Sequence, residues 1–262
     1  MEIPGTVSRI LWHFTGGPLW NDSTKKQNLK PKPLKQAYSI LKAILNDKEL
    51  RISKYKELLK VRLPEKSNLR DKGKEFVFES SPVCCLTDIP IRHLQFHSRR
   101  YGKCAIGFYR ESAIKSDFNP VLYTLHNSEM LLSMFGGLAS VFDPELIGNI
   151  DQIGYVIDDF ARKGTFYREH YKQTREEVES ALEGAKGAIE NFTAFVKTFS
   201  HKEFHTIYCE REWRSLNAFR FKEEDIAMIV VPRKKDCYSN LISDRIVSDK
   251  IPVLAWEDLV ES

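Results

Sequence analysis

The sequence lacks the features that identify several large classes of protein. Its 262 residues include five cysteines but no Cys-x-x-Cys pair, which argues against a disulfide framework and favours reduced, mostly buried thiols. No apolar run approaches the roughly 18 residues that a membrane-spanning helix needs. Because the first residues, Met1 to Thr6, carry neither a basic start nor a hydrophobic block, we expect no export signal, no membrane partner and a cytoplasmic location.

The short motifs of nucleotide and metal chemistry are also missing. The chain has no G-x-x-x-x-G-K-[ST] loop and no G-x-G-x-x-G fingerprint, so it does not bind phosphates through either of those glycine-rich loops. His93 and His97 are four residues apart and could share a helix face, but no H-E-x-x-H motif or third ligand accompanies them. We therefore predict no metal site.

Positive charge is concentrated in the first quarter of the chain. Residues 1–75 carry 17 Lys and Arg against 8 Asp and Glu, whereas the whole chain has a net charge of only +4. Lysines such as Lys25, Lys26 and Lys30 could neutralise the phosphates of a nucleic acid or a nucleotide. Such runs are also typical of ordinary solvated surfaces, so a nucleic-acid partner is one of two interpretations.

Hydrophobic periodicity predicts an α+β fold. Apolar residues from Leu34 to Leu45 recur at helical spacing, residues 9–15 have the composition of a short strand, and Ile226–Val231 is a continuous apolar run typical of a central strand. We therefore predict a single domain over residues 1–262, with a central mixed or antiparallel sheet flanked by helices. Residues 140–200, with an amphipathic helix at 175–199, are expected to form a helical insertion within it, because no Gly-, Pro- or Ser-rich linker separates them.

A short segment near the C-terminal end, Cys209–Leu216, concentrates charged side chains. In a strand, successive side chains alternate between faces, so Glu210, Glu212 and Arg214 would share one face. If that face borders a cleft, it could hold a catalytic carboxylate beside a positive neighbour or bind a cation. The alternative is a solvated strand face with a ladder of alternating charges.

The predicted opening strand carries a second polar pair. His13 and Thr15 would share one face, opposite Trp12 and Phe14. If the aromatic face packs into a core, His13 and Thr15 face away from it and could border a cleft. The alternative for His13 is a histidine whose ring is satisfied by a neighbouring carbonyl group.

Blocks spread over most of the chain resemble the AbiGi family of bacterial abortive-infection proteins and occur in the family's order. They are Leu11–Gly17, Cys85–Pro90 followed by His97 and Tyr101-Gly102, Ile106–Phe108, Asn119–Tyr123 and Glu210–Arg214. The helical stretch 140–200 lies outside them. The resemblance implies a role in phage defence and a partner protein, a cognate toxin or antitoxin, from the same operon.

The order of three elements is more distantly similar to that of ADP-ribosyltransferases. These enzymes begin with a strand that carries a His-x-Thr-like element, continue into a helix of the Ile-Leu type, and complete the site with a glutamate on a late strand. The matching residues here are His13 and Thr15, the stretch from Ile40 to Leu50, and Glu210 with Glu212. For the middle element of the site, Ser53 and Tyr101 are the candidates. The resemblance implies a split central sheet and NAD as substrate.

The same resemblance implies roles for these residues. The implied catalytic set is Glu212, Glu210 and His13, and the implied cofactor-binding set is His13, Thr15, Ser53, Tyr101 and Arg214. His13 would donate a hydrogen bond to a ribose hydroxyl of NAD, and Tyr101 would stack on nicotinamide. Glu212 would bind the nicotinamide ribose and stabilise the oxocarbenium-like charge as the glycosidic bond breaks. Glu210 would orient the acceptor, and Arg214 would fix Glu212 or a pyrophosphate oxygen.

Three functions therefore remain open. The first is an NAD-dependent ADP-ribosyltransferase-like effector of phage defence that modifies nucleic acid or protein, or an NAD glycohydrolase. The second is a non-catalytic, antitoxin-like protein that binds and neutralises a cognate toxin and uses the charged segment as a structural ion network. The third is a nucleic-acid-binding regulator that uses the lysine-rich segment.

Overall fold

The computed structural model describes residues 8–18, 20–21, 26–27, 30–53, 56–62, 73, 75–141, 177, 180–181, 183–203, 207–244 and 246–259. These residues form two compact units. The first unit is drawn from Met1–Lys56, Pro82–Val121 and Glu203–Ser262, and the second unit from Glu57–Ser81 and Leu122–Lys202. Each unit has its own hydrophobic core.

The strands of the described residues are, in chain order, β1 (Ile10–Phe14), β2 (Trp20–Asn21), β3 (Lys26–Gln27), β4 (Glu49–Leu50), β5 (Leu58–Arg62), β6 (Glu75–Glu79), β7 (Cys84–Thr87), β8 (Ala105–Tyr109), β9 (Asn119–Pro120), β10 (Leu122–Leu125), β11 (Val196–Phe199), β12 (Glu212–Ser215), β13 (Phe219–Arg220), β14 (Ile226–Val231) and β15 (Val253–Ala255). The helices with described ends are α1 (Leu34–Asp47), α2 (Leu94–Tyr101), α3 (Arg110–Lys115), α4 (Glu129–Val141) and α5 (Cys237–Ser243). Residues 183–193 are also helical.

A seven-stranded sheet forms the centre of the first unit, in the order β15-β14-β8-β1-β7-β12-β9. Its neighbouring strands are antiparallel except β14 and β15, which are parallel, so the sheet is mixed. β1 pairs with β8 over five residues, but it pairs with β7 only at Trp12 and Thr87. The pairing between β1 and β7 is therefore the shortest in this sheet.

Both faces of β1 are covered within the first unit. Leu11 packs against Leu41 and Leu45 of α1 in one buried cluster, whereas Trp12 belongs to another cluster with residues of α2 and the C-terminal segment. α1 can pack in this way because apolar residues four positions apart lie on one face of a helix. It ends at Lys48, whose left-handed φ of 52° turns the chain into β4. Each large side chain buried here contributes roughly 2 kcal/mol.

The second unit is built from two small sheets and helical segments. β5 and β6 are antiparallel, and β10 and β11 are parallel. Its core consists of Leu59, Val61, Phe78, Leu131, Phe135 and Val196. The predicted helix at 175–199 is wrong at its C-terminal end, because the helical stretch stops at residue 193 and residues 196–199 form β11. Strand pairing with β10 overrides the helical spacing of the apolar residues there.

The α+β class and the mixed sheet flanked by helices are confirmed. The predicted insertion at 140–200 lies largely outside the described residues, since residues 142–176 are not among them. The extent of that insertion and the single domain over 1–262 therefore stay predictions. Among the helices that the structure describes, none is both long enough and apolar enough to cross a membrane.

Candidate functional site

A cavity of about 190 Å³ in the first unit is lined by residues of β1, β7, α2 and the start of β12. We call it the charged cavity. Its polar wall consists of His13, Cys85, Thr87, His97, Tyr101, Glu210 and Glu212. The cavity therefore brings together four of the residues singled out in the sequence, namely His13, Tyr101, Glu210 and Glu212.

His13 is held in one tautomer by the backbone of β7. Its Nδ1 lies 3.1 Å from the carbonyl oxygen of Cys85, and because a carbonyl group only accepts hydrogen bonds, Nδ1 carries the proton. Burial lowers the pKa of His13, and the nearby positive charge of Lys32 lowers it further, while the bond to Cys85 acts in the opposite direction. His13 is therefore neutral near pH 7, and its Nε2 is a hydrogen-bond acceptor. The prediction of a histidine satisfied by a neighbouring carbonyl is confirmed for Nδ1.

Glu210 is fixed by two side chains of α2. Its Oε1 accepts a hydrogen bond from the Tyr101 hydroxyl at 2.6 Å and from Nη1 of Arg100 at 3.2 Å. Glu210 is only 4% exposed, and its cationic neighbour compensates its negative charge there. The Tyr101 ring is itself held by stacking on His97, with ring centroids 5.6 Å apart. One carboxylate of the cavity is thus preorganised by an arginine and a tyrosine.

Glu212 forms a separate ion pair with Arg214. Nη2 of Arg214 donates to Oε2 of Glu212 at 2.9 Å, and the two side chains are 2% and 13% exposed. The thiol of Cys85 also hydrogen-bonds to Glu212. Burial raises the pKa of the Cys85 thiol well above its ordinary value, and the negative charge of Glu212 raises it further. The thiol is therefore protonated at neutral pH and cannot act as a nucleophile without a change in its surroundings.

The two glutamates reach the same cavity by a different route from the predicted one. Tyr208–Glu210 is a turn of 3-10 helix, Arg211 is left-handed with φ 44°, and β12 begins only at Glu212. The prediction of one continuous strand with Glu210, Glu212 and Arg214 on a single face is therefore wrong. The left-handed residue turns the chain, so that both carboxylates line the charged cavity.

Asp88 stabilises this turn. Its backbone N–H donates to the Arg211 carbonyl at 3.0 Å, and its carboxylate accepts from Nη2 of Arg211 at 2.9 Å. Arg110 pairs with the same carboxylate at 3.4 Å. The Thr87 hydroxyl donates to the Glu210 carbonyl as a further support. The turn of 3-10 helix that follows, Ile91–His93, has no side-chain cap, so Asp88 does not cap it.

Three predicted cofactor-binding residues lie outside the polar wall of the charged cavity. The Thr15 hydroxyl is buried and donates to the Ala37 carbonyl at 2.7 Å, which ties β1 to α1. Ser53 is exposed after β4, where its backbone N–H donates to the Val83 carbonyl. Arg214 is buried, is not among the residues that line the cavity, and pairs with Glu212, which is. Their roles as ligands of NAD remain predictions.

Close backbone approach shapes one edge of the charged cavity. A Cβ atom on Gly16 would lie 2.6 Å from the Tyr101 carbonyl oxygen, and Gly102, which has a positive φ of 77°, lies directly against Gly16. Only glycine allows the turn after β1 to pack this tightly on the end of α2. This packing holds Tyr101 near the strand that carries His13.

Sequence reasoning missed Cys85, Arg100 and Asp88 as parts of this site. His97 was not predicted as part of the site either, although a signal for it was available, since His97 and Tyr101 are four residues apart and therefore share a face of α2. The pairing of Arg100 with Glu210 joins residues 110 positions apart, and no local pattern predicts it. Within the described part of the chain, no three His, Cys, Asp or Glu side chains converge as a metal site.

Comparison with known proteins identifies one family. Residues 56–240, which are 185 of the 262 residues, match the family described as "Putative abortive phage resistance protein AbiGi, antitoxin". No curated protein and no solved structure matches the chain. The matched range contains Cys85, Tyr101, Glu210 and Glu212 of the charged cavity, whereas His13 precedes it.

Proposed function

Since the chain belongs to the AbiGi family of abortive phage-resistance proteins, we propose that its charged cavity binds NAD and breaks the bond between nicotinamide and ribose. One observation carries the proposal: a neutral histidine, a tyrosine and two glutamates from distant parts of the chain line a single cavity. Clustering of such groups in a cleft is typical of a ligand-binding or catalytic site. The product would be free ADP-ribose or an ADP-ribosylated nucleic acid or protein.

The size of the charged cavity suits one half of the dinucleotide. At about 190 Å³ it is smaller than the roughly 300 Å³ at which sites for whole drug-sized ligands begin. The nicotinamide and its ribose would therefore occupy it, and the adenylate half would lie outside. Because Nε2 of His13 is an acceptor, a ribose hydroxyl would donate to it, which reverses the direction of the hydrogen bond expected from the sequence.

The proposed chemistry places positive charge beside Glu212. The bond between C1′ of the ribose and the nicotinamide nitrogen breaks, its electron pair leaves with nicotinamide, and positive charge develops on C1′ and the ring oxygen. A carboxylate held at the right place stabilises such an oxocarbenium-like state. Arg214 fixes the orientation of Glu212 from behind, so we assign Arg214 a positioning role.

Glu210, which Tyr101 and Arg100 hold in place, would act on the second reactant. Glu210 has one oxygen fixed by Tyr101 and Arg100, so its carboxylate has a defined orientation toward the cavity. The incoming nucleophile, water or a hydroxyl or amine of a larger acceptor, adds to C1′ and would give up its proton to the Glu210 carboxylate. Tyr101 forms part of the wall that nicotinamide would contact.

Nicotinamide release from NAD tests the proposal. The purified protein is incubated with NAD alone and with added RNA, DNA or a cell lysate, beside the variants Glu212→Gln and Glu224→Gln. Glu224 is a matched control, because it is exposed and lies in a turn outside the charged cavity. We expect Glu212→Gln to lower release by about 100-fold or more and Glu224→Gln to leave it unchanged. No release under any condition, with NAD also failing to raise the melting temperature, would contradict the proposal.

The second candidate is a non-catalytic antitoxin that binds and neutralises a cognate toxin. The family description names an antitoxin, and both glutamates already have partners within the protein, as a structural ion network requires. In that case Glu212→Gln would leave neutralisation of the toxin intact. Neutralisation that survives Glu212→Gln but fails when the exposed side chains Glu183 and Lys186 of the second unit are replaced would favour this candidate.

A further inference from the structure

A second and larger cavity lies in the first unit. Its volume is about 580 Å³, and its wall includes Arg92, His93, Phe96, Tyr208, Cys209 and Arg211. We call it the aromatic cavity. Its volume falls within the range of about 300–1,000 Å³ that is typical of small-molecule sites. The reaction proposed for the charged cavity does not use the aromatic cavity.

Two aromatic rings in its wall are open to solvent. Phe96 is 48% exposed and Tyr208 is 44% exposed, although both are large apolar side chains. Single exposed apolar residues are common, but two rings in the wall of one cavity offer a surface on which a flat ligand can stack. A nucleobase is such a ligand, because every base has a π face.

The charges in the same wall favour an anion. Arg92 is exposed, and the Arg211 side chain is 39% exposed. The acidic residue of the wall, Asp88, is only 4% exposed and is engaged by Arg110 as well as by Arg211. The wall therefore carries more positive than negative charge, and a guanidinium group binds a phosphate well because it presents several N–H donors in a plane.

From these observations we propose that the aromatic cavity binds a nucleoside 5′-phosphate, with the base against Phe96 and Tyr208 and the phosphate at Arg92 and Arg211. This inference goes beyond the proposed function, since it does not require that the charged cavity cleave NAD. The ligand is a free mononucleotide or a nucleotide unit of a single-stranded nucleic acid, and both present the same base and phosphate.

The two cavities share a wall, which makes the aromatic cavity a natural second subsite. His97 lines both of them. In the segment that precedes β12, Glu210 faces the charged cavity, whereas Tyr208, Cys209 and Arg211 face the aromatic cavity. A nucleotide in the aromatic cavity would thus lie next to whatever occupies the charged cavity.

Binding of AMP, adenosine and a short single-stranded RNA, measured by calorimetry, tests the inference. Alkylation of Cys209, which lies half-buried in the wall, gives an independent readout. We expect AMP to bind, to slow the alkylation of Cys209, and to bind more tightly than adenosine, because only AMP carries the phosphate. RNA that binds more tightly than AMP would identify a nucleic acid as the source, and the reverse order would identify a free nucleotide.

Variants with matched controls locate the binding. Phe96→Leu is expected to weaken binding about fivefold or more, as loss of base stacking predicts. Arg92→Gln should weaken it and reduce its dependence on salt. Tyr109→Leu and Arg51→Gln are the controls, because both residues are exposed and lie outside the wall.

Glu212→Gln should still bind AMP, because Glu212 lines only the charged cavity of these two. Equal binding by Phe96→Leu, Arg92→Gln and the wild type, or no protection of Cys209 by AMP or RNA, would overturn the inference.

Discussion

The charged cavity and the aromatic cavity share His97, but their charged side chains differ in exposure and in pairing. In the charged cavity, the side chains of Glu210 and Glu212 are 6% and 13% exposed, and each is paired with an arginine of the protein. In the aromatic cavity, Arg92, Phe96 and Tyr208 are exposed. The first arrangement stabilises fixed negative charge in a defined position, whereas the second offers rings and positive charge to a ligand.

This difference indicates that substitutions in the two neighbouring cavities should have different effects on stability and on binding. Removing one partner of a buried ion pair strongly destabilises the fold, because the other charge remains buried without compensation. Replacing an exposed arginine or aromatic residue changes stability little and binding more. Variants of the charged cavity should therefore affect folding as well as function, and variants of the aromatic cavity should affect mainly binding.

The largest expected effect on stability is that of Arg214→Ala. This change leaves Glu212 without its arginine in a buried position, and we expect a loss of about 3 kcal/mol in the free energy of unfolding. Arg220→Ala is the matched control, because Arg220 pairs with Glu49 at 3.0 Å but is 86% exposed, and its loss should cost less than about 1 kcal/mol. Denaturant unfolding measures both.

A double variant sharpens this first prediction. Glu212→Gln in the Arg214→Ala background removes the negative charge that Arg214 no longer compensates, and it should recover part of the lost stability. Equal losses for Arg214→Ala and Arg220→Ala, or no recovery in the double variant, would contradict a buried ion pair behind the charged cavity.

Gly16→Ala should have the next largest effect. Its Cβ would lie 2.6 Å from the Tyr101 carbonyl oxygen, so the backbone must shift, at a cost of about 2 kcal/mol. Gly187→Ala is the control, because Gly187 is helical, nothing lies near its Cβ position, and alanine favours a helix by about 1 kcal/mol. Thermal unfolding should shift in opposite directions for the two variants. A Gly16→Ala protein as stable as the wild type would contradict the close approach of the two backbones.

Each cavity has one half-buried cysteine in its wall, so the alkylation rates of Cys85 and Cys209 compare the two cavities. Burial and then the charge of Glu212 raise the pKa of Cys85 in the charged cavity, and each unit of increase lowers the thiolate fraction about tenfold. We therefore expect iodoacetamide at pH 8 to modify Cys85 at least about tenfold more slowly than Cys209, as followed by mass spectrometry of peptides. Glu212→Gln should speed up the reaction of Cys85 and leave that of Cys209 unchanged. A Cys85 that reacts as fast as Cys209 would show that its thiol is not buried beside the Glu212 carboxylate.

The smallest expected effect is a pH dependence from His13. Burial lowers its pKa in the folded protein, so the unfolded chain binds more protons as the pH falls below about 6.5, and stability falls with it. Compared with His13→Gln, the wild type should lose about 1 kcal/mol more between pH 7.5 and 5.5. The comparison cancels the contributions of groups that are present in both proteins. Parallel pH profiles for the two proteins would contradict a buried, neutral His13.

The sequence predicted best those elements whose structure depends on their own residues alone. α1 follows from apolar spacing alone, and β14 follows from a continuous apolar run, because period and length indicate helix and strand directly. His13, Tyr101, Glu210 and Glu212, which the sequence analysis named as candidates, line one cavity, and their roles remain proposals.

The errors arose where distant contacts determine the local backbone. A non-glycine residue with positive φ is uncommon, and Arg211 adopts it in contact with Asp88, which is 123 positions earlier in the chain. No window of the sequence around Glu210 contains that contact, so alternation predicted a strand where a turn of 3-10 helix forms. Thr15 was expected at a cleft, but the packing of α1 on β1 buries it.

The most direct test of the central claim is a crystal structure of the Glu212→Gln protein soaked with NAD. We expect nicotinamide and its ribose in the charged cavity, with a ribose hydroxyl donating to Nε2 of His13 and with C1′ beside residue 212. NAD bound only in the aromatic cavity, or a charged cavity without nicotinamide at saturating NAD, would contradict it.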